Sequence, residues 1–171
     1  AAFAAGKPVM VFDSDFRERE TDLLWPAGAA TPEVIRTLRN DCGGLLFLAI
    51  GNEIGEIFGL PWLQDIYTHP TLVKENPVLG KLITNDLQYD NRSAFTLSLN
   101  HRETFTGITD RDRALTTRRF GELSGEMIGR SSEDAISAFG LEFRTPGHIP
   151  VCRESPGGLK TRQGHTELAV S

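Results

Sequence analysis

The stretch Pro8-Val9-Met10-Val11-Phe12-Asp13-Ser14-Asp15-Phe16-Arg17-Glu18-Arg19-Glu20-Thr21-Asp22 joins an apolar run to a strongly acidic segment. Pro8 to Phe12 predicts a buried strand. Asp13 to Asp22 sets five carboxylates against two guanidiniums. A strand that delivers an acid-rich loop is a common way to build a metal or acid–base site on a rigid support. In extended backbone alternate residues share a face, so Glu18, Glu20 and Asp22 point one way and Arg17, Arg19 and Thr21 the other. Three carboxylates on one face repel one another unless a cation sits among them or a proton is shared. A solvated charged loop is the ordinary alternative, and spacing alone leaves both readings open.

The bulk of the chain bounds the answer. A length of 171 residues suits one domain, residues 1–171, with a sizeable core. Hydrophobic residues at 39% and charged residues at 24% match an ordinary soluble balance. A net charge of −5, with no Lys/Arg run longer than Arg118-Arg119, argues against a nucleic-acid binder. Cys42 and Cys152 make no disulfide framework and no CxxC zinc spacing, which points to a reducing cytoplasm. No apolar run approaches the ~20 residues that cross a bilayer, so no membrane contact is expected. Ala1 to Gly6 is too short, and lacks the basic segment, for a signal peptide.

Further along, Ala1 to Ala5 reads as a helix end closed by Gly6. Thr31-Pro32-Glu33 starts a helix, with Thr31 as the cap and Val34, Ile35 and Leu38 as its apolar stripe. Leu45 to Ile50 predicts a central strand. Ile54 to Leu60 predicts a short helix ended by Pro61, and Trp62 to Asn76 reads as loop. Ala94 to Asn100 alternates as a half-buried strand, with Phe95, Leu97 and Leu99 inward. Arg111 to Phe120 predicts a helix with Ala114 and Leu115 inward. Ser131-Ser132-Glu133-Asp134 opens another that carries Ala135, Ile136 and Phe139 and ends at Gly140. Leu141 to Arg144 and His148 to Cys152 read as short strands about Thr145-Pro146-Gly147. Pro156-Gly157-Gly158 is a turn, and the chain reaches Ser171 in a helix that starts near His165. Strands and helices intermix without strict alternation, which predicts an α+β fold: one mixed sheet with helices packed on it.

His69, His101, His148 and His165 are the only histidines. His165 lies between Gly164 and Thr166 at a predicted helix start, with Arg162 just before it. Free backbone N–H groups, a hydroxyl and an arginine make an anion site, most naturally for phosphate. His148 follows Pro146-Gly147, where a tight turn fixes its direction. A phosphorylated substrate is repelled by the acid loop unless a divalent cation sits at the loop and Arg162 takes the far end. The pattern suggests a metal-assisted enzyme acting on a small sugar phosphate. No Ser-His-Asp elbow, P-loop or GxGxxG motif is present.

Six colinear stretches together resemble the 3,4-dihydroxy-2-butanone 4-phosphate synthases of riboflavin biosynthesis. They are Asp13 to Asp22; Thr31-Pro32-Glu33; Ala94-Phe95-Thr96; Thr106-Gly107-Ile108-Thr109 with Asp112-Arg113-Ala114; Phe143 to His148; and Gly157-Gly158-Leu159 followed by Arg162 to Glu167. The resemblance implies a lyase that converts D-ribulose 5-phosphate to L-3,4-dihydroxy-2-butanone 4-phosphate and formate. It implies Mg²⁺, with Mn²⁺ as substitute and no organic cofactor. It also implies a homodimer with active sites at the subunit interface. By position, Glu18 and His165 are the implied metal ligands, and Arg17, Glu18 and Asp22 meet the sugar. Arg162, Gln163, Gly164, His165 and Thr166, with Thr106 and Thr109, hold the phosphate end. Asp13, Glu20 and His148 match positions important for catalysis.

The chain departs from the family at Phe47, where cysteine is common, and at Thr21, where glycine is common. The resemblance also implies a catalytic glutamate beyond the G-H-T-E motif, past Ser171. Two other readings of the same residues stand beside the lyase. One is a different metal-dependent sugar-phosphate isomerase or aldolase, and the other a catalytically silent sugar-phosphate-binding domain.

Overall fold

The computed structural model describes residues 2–84, 86 and 90–171. Ala1, part of the expected helix end, lies outside the described residues; Phe3–Ala5 is a single 3-10 turn closed by Gly6. Two strands, β1 (Val9–Phe12) and β2 (Thr21–Leu24), pair antiparallel as a hairpin, with Val11 opposite Asp22 and Phe12 opposite Thr21. The acid segment is therefore the hairpin loop rather than one extended run. Arg19 takes a left-handed φ of 58° inside it. Met10 and Phe12 lie on the exposed side of β1, so that strand is only half-buried, not the buried strand expected.

Helix α1 (Pro32–Asp41) begins where the sequence predicts, because the Thr31 hydroxyl accepts the Val34 N–H at 3.3 Å and Pro32 occupies the first helical position. Ile35, on its inner face, is 1% exposed. The next strand, β3, is shorter than expected: only Leu48–Ile50 pairs, and Leu45 is exposed. Helices α2 (Asn52–Ile57), α3 (Leu63–Tyr67), α4 (Pro70–Glu75) and α5 (Leu79–Leu82) follow. The stretch from Trp62 to Asn76, read as loop, thus holds two short helices. Their few turns are too brief to impose a 3.6-residue period on the sequence.

Strand β4 (Leu99–His101) is shorter and later than expected. Phe95 makes one bridge to Cys152 and is partly exposed, while Thr96 is buried in its place. Helix α6 (Asp110–Met127) runs on well past the predicted end at Phe120. Its start is fixed by the Thr109 hydroxyl, which accepts the Asp112 N–H at 3.1 Å. Arg39 grips Asp110 with two bonds of 3.0 Å, tying α1 to that start. Helix α7 (Ser132–Glu142) passes through Gly140 and takes up Leu141, which was expected in a strand. Strand β5 (Phe143–Ile149) then takes in Thr145-Pro146-Gly147, where its register on β4 jumps from Asn100–Arg144 to Leu99–Ile149, and β6 (Val151–Arg153) follows after Pro150. Helix α8 (His165–Val170) closes the described chain.

The strands form three two-stranded pairs, β1–β2, β3–β6 and β4–β5, of which β3–β6 is parallel. The fold is α+β, as expected. The predicted mixed sheet is broken into short ribbons, and backbone bonds from Thr96 and Arg153 stitch the 94–96 segment to β6. Gly147 is required at its place, since a Cβ there would fall 1.9 Å from the Leu99 carbonyl carbon. The core lies between the ribbons and helices α6 and α7. Phe139 stacks on Phe58 and on Phe143 with ring centroids 4.9 and 5.0 Å apart. Burying such a side chain contributes about 1.5–3 kcal/mol, so this aromatic group with Leu99, Leu123 and Ile149 holds the ribbons and helices together.

Candidate metal centre

The parallel pair β3–β6 decides where α8 sits. Both strands end on the same side, and the loops that leave them pass Gly51 and Ser155. Glu167, which is fully buried, accepts the Ser155 N–H at 2.9 Å and so pins α8 across those strand ends. Val170 packs 3.4 Å from the position a Gly51 Cβ would take. This places His165, the first residue of α8, beside the β1–β2 hairpin.

His165 Nδ1 lies 2.5 Å from Asp22 Oδ2, across 143 positions of sequence. Its Nε2 lies 2.8 Å from Glu18 Oε2 and 3.7 Å from Asp13 Oδ2. Glu18, Glu20 and His165 each bring a ligand atom into one group, all within 4.8 Å of one another. Asp13 shapes the loop that carries them: its Oδ2 accepts the Glu18 N–H at 2.8 Å and its Oδ1 the Glu20 N–H at 3.1 Å. With its side chain wholly inaccessible, Asp13 acts as the keystone of the hairpin loop.

The electrostatics follow from these distances. Burial alone would lower the His165 pKa, but Asp22 and then Glu18 outweigh it and hold the imidazole above its ordinary value. Burial alone would raise the Asp13 pKa; the N–H groups of Ser14, Glu18 and Glu20, with the charge of His165, hold it below the usual carboxylate range.

The donor set fits a divalent cation. A carboxylate on Nδ1 fixes the tautomer of a ligating histidine and leaves the other nitrogen's lone pair for the metal. His165 Nε2 is buried, with Glu18 Oε2 2.8 Å away. That spacing is close to the edge of an octahedron with bonds of about 2.0–2.1 Å, roughly 2.9 Å. A carboxylate oxygen and an imidazole nitrogen suit a hard or borderline cation better than a soft one.

Beside this group runs a chain of charges. Arg162 donates to Asp90 twice, Nε to Oδ1 at 2.9 Å and Nη2 to Oδ2 at 2.6 Å, and through Nη1 to Glu167 at 2.6 Å. Arg17 Nη2 lies 3.4 Å from Asp90 Oδ1. Gly164 leaves room for this arginine, since a Cβ there would fall 2.3 Å from Arg162 Nη1. Thr166 is buried, and its side chain bonds the Cys152 thiol, which burial pushes up to about 12 despite that bond. Gln163 is exposed. Asp90 lies outside every stretch that carries the resemblance, and Glu167, inside the last of them, has no role assigned from sequence. Asp90 sits in a polar stretch with no period, and a buried glutamate one turn into a helix looks like any solvated one.

The remaining expected residues form a second group. Thr106 and Thr109 stand at the start of α6, where Thr106 and Gly107 donate their N–H groups to Asp112 at 3.1 and 2.8 Å. His148 is exposed on β5; its N–H is donated to Asn100 Oδ1 at 2.8 Å, and its Nδ1 lies 3.2 Å from the same oxygen. Gly107 lies against the same Asn100 amide, which a Cβ there would meet at 2.3 Å. The structure thus gathers Asp13, Arg17, Glu18, Glu20, Asp22, Arg162 and His165 in one place, and Thr106, Thr109 and His148 in another.

Of the first group, Glu18, Glu20, Asp22 and His165, but not Asp13, Arg17 or Arg162, line a cavity of about 1120 Å³. Its walls are mostly apolar, from β2, α1, β3 and the end of α8. Phe47 and Cys42 both line it. Among the described residues, neither His148 nor Thr106 does. No helix of the described residues is long and apolar enough to cross a membrane.

The family model for 3,4-dihydroxy-2-butanone 4-phosphate synthase matches residues 1–171. A 3,4-dihydroxy-2-butanone 4-phosphate synthase of Methanothermobacter thermautotrophicus is 44% identical over 170 residues, covering 99% of this chain and 70% of that protein. The riboflavin biosynthesis protein RibBA of Bacillus subtilis is 31% identical over 169 residues, covering 99% of this chain and 34% of its own length. A solved 3,4-dihydroxy-2-butanone 4-phosphate synthase in complex with two magnesium ions superposes with a TM-score of 0.68 at 28% identity. That match covers 98% of this chain and 63% of that one.

Proposed function

The chain belongs to the 3,4-dihydroxy-2-butanone 4-phosphate synthase family, and from that premise we propose that it converts D-ribulose 5-phosphate to L-3,4-dihydroxy-2-butanone 4-phosphate and formate. The observation that carries the reading is the meeting of Glu18, Glu20 and His165 within 4.8 Å, with His165 oriented by Asp22.

Glu18 and His165 are the residues that would hold the cation, Mg²⁺ with Mn²⁺ as substitute. Bound there, it supplies Lewis-acid stabilisation for negative charge on adjacent substrate oxygens. The chain's own groups do the rest. Asp22 keeps the Nδ1 proton of His165 engaged, so Nε2 faces Glu18. Asp13 holds the loop so that the Glu18 and Glu20 carboxylates turn toward His165. Glu20 is the carboxylate available for proton transfer beside the ketone, work that a positioned acid–base group speeds by roughly 10²–10⁴. Arg17 and Arg162 offer cationic edges to the sugar and its phosphate, with Gln163 to Thr166 beside them.

Thr106, Thr109 and His148 serve the same chemistry from the second group. In this reading they reach the cation site of a partner across a homodimer interface. A second copy is what would bring the exposed His148 against a site that its own chain's cavity lining does not include it in. The enzyme works in the cytoplasm with no organic cofactor.

The test is formate release from ribulose 5-phosphate. The reading expects release that stops in excess EDTA and returns when Mg²⁺ is restored in excess. Undiminished formate in EDTA, or none with Mg²⁺, defeats it.

A further inference from the structure

Asp90 belongs to none of the motifs that carry the family resemblance, yet it is placed at the centre of the charged side chains. Its side chain is only 6% exposed. One oxygen meets both Arg17 and Arg162, and the other completes a two-bond grip on Arg162. Arg17 directly precedes Glu18, and Arg162 lies just before His165. A single carboxylate therefore joins the hairpin loop that supplies one candidate ligand to the segment that supplies the other. Without it, two guanidiniums would face each other, with Glu167 as the counter-charge left on Arg162.

The geometry leaves Arg162 two donors unused among the described residues. Asp90 takes Nε–H and one Nη2–H, and Glu167 takes one Nη1–H. A guanidinium has five N–H donors in a rigid plane, so one remains on each Nη. A planar group held from two sides keeps those remaining donors fixed in direction, which suits recognition of an anion. We propose that Asp90 is a positioning residue: it orients Arg17 and Arg162 so that the unused donors of Arg162 meet the phosphate of the substrate. The inference rests on the sugar-phosphate reading above, and it adds a residue that acts through two others without touching substrate. His165 is held separately by Asp22, so the cation site does not depend on Asp90.

The experiment compares wild type with Asp90→Asn and Asp90→Ala. It measures KM and kcat for formate release, Mn²⁺ affinity by electron paramagnetic resonance, and calorimetric affinity for ribulose 5-phosphate. Loss of the Asp90 charge, which holds Arg162 by two bonds and Arg17 by one, predicts KM raised roughly tenfold. It predicts kcat and the Mn²⁺ Kd each changed less than about threefold, since the cation ligands are untouched. Asp90→Asn preserves shape and gives the result if Asp90→Ala does not fold. An unchanged KM overturns the proposal; so does a loss of Mn²⁺ affinity as large as the rise in KM, which marks a general structural role. A wild type that binds ribulose 5-phosphate without releasing formate defeats the activity reading alone. Asp90 is then decided by calorimetry: weaker binding in Asp90→Asn supports the proposal, and equal binding overturns it. A wild type that does not bind ribulose 5-phosphate overturns both.

Discussion

Replacing Asp22 by asparagine tests how the histidine is prepared for a cation. The amide keeps the shape and an oxygen to accept from His165 Nδ1, and only the charge is lost. A hydrogen bond to a charged partner contributes roughly 1.5–3 kcal/mol and a neutral one roughly 0.5–1.5. The difference, about 1–1.5 kcal/mol, corresponds to near tenfold in cation affinity. That agrees with the roughly 10–100-fold cost of losing an outer-shell partner elsewhere. The contact, 2.5 Å with the His165 side chain only 15% exposed, justifies using the charged figure. A second effect has the opposite sign. Asp22 also raises the His165 pKa, and a protonated imidazole cannot ligate. As pH falls through that raised pKa, wild type loses cation affinity sooner than Asp22→Asn does. Titration with Mn²⁺ should therefore show about tenfold weaker binding by the variant at about pH 8 and a smaller gap at about pH 6. Equal affinity at the higher pH, or a gap that widens toward the lower, would refute the reasoning.

Other outcomes follow from the fold. Burial alone would raise the Asp112 pKa, but the N–H groups of Gly107, Thr106 and Phe105 and the Thr106 hydroxyl hold it below its ordinary 3.8. A depressed carboxylate contributes stability above its unfolded pKa and loses it as pH falls through the folded one. Melting temperature should thus fall below about pH 4 less steeply in Asp112→Asn than in wild type, and parallel curves would count against this. Cys152, with its pKa pushed up to about 12, should resist iodoacetamide at mildly alkaline pH until the protein is unfolded; rapid labelling of native protein would contradict its burial. Thr31→Ala removes the cap of α1 and should cost about 1 kcal/mol in denaturant titrations, with no change in cation affinity.

Local physics made some of this legible. Thr31-Pro32 fixes a helix start through one hydroxyl and one missing N–H, and both are properties of adjacent residues. Ser131 does the same for α7, where its hydroxyl accepts the Asp134 N–H at 3.1 Å. Helix ends are harder: Gly140 looks like a stop, yet α7 continues to Glu142 because Phe139 and Phe143 stack across that point. Strands are hardest, since three-residue ribbons such as β3 and β4 carry too few positions to show alternation. At the site, the surplus of carboxylates in Asp13 to Asp22 announces a need for positive charge, and the resemblance names Glu18 and His165 as its answer. Their meeting depends on β2 pairing with β1 and on α8 docking across β3 and β6, contacts with no local signal. Asp90 and Glu167 stay hidden for the same reason: what marks them is burial, which only the folded chain reveals.

The claim that Glu18 and His165 share one cation is tested most directly by anomalous diffraction from crystals soaked in Mn²⁺. The account predicts a peak at bonding distance, about 2.0–2.2 Å, from both a Glu18 oxygen and His165 Nε2, with Asp22 still bonded to Nδ1. A crystal with no peak between those two side chains, or with Mn²⁺ bound on the acid loop away from His165, would contradict it.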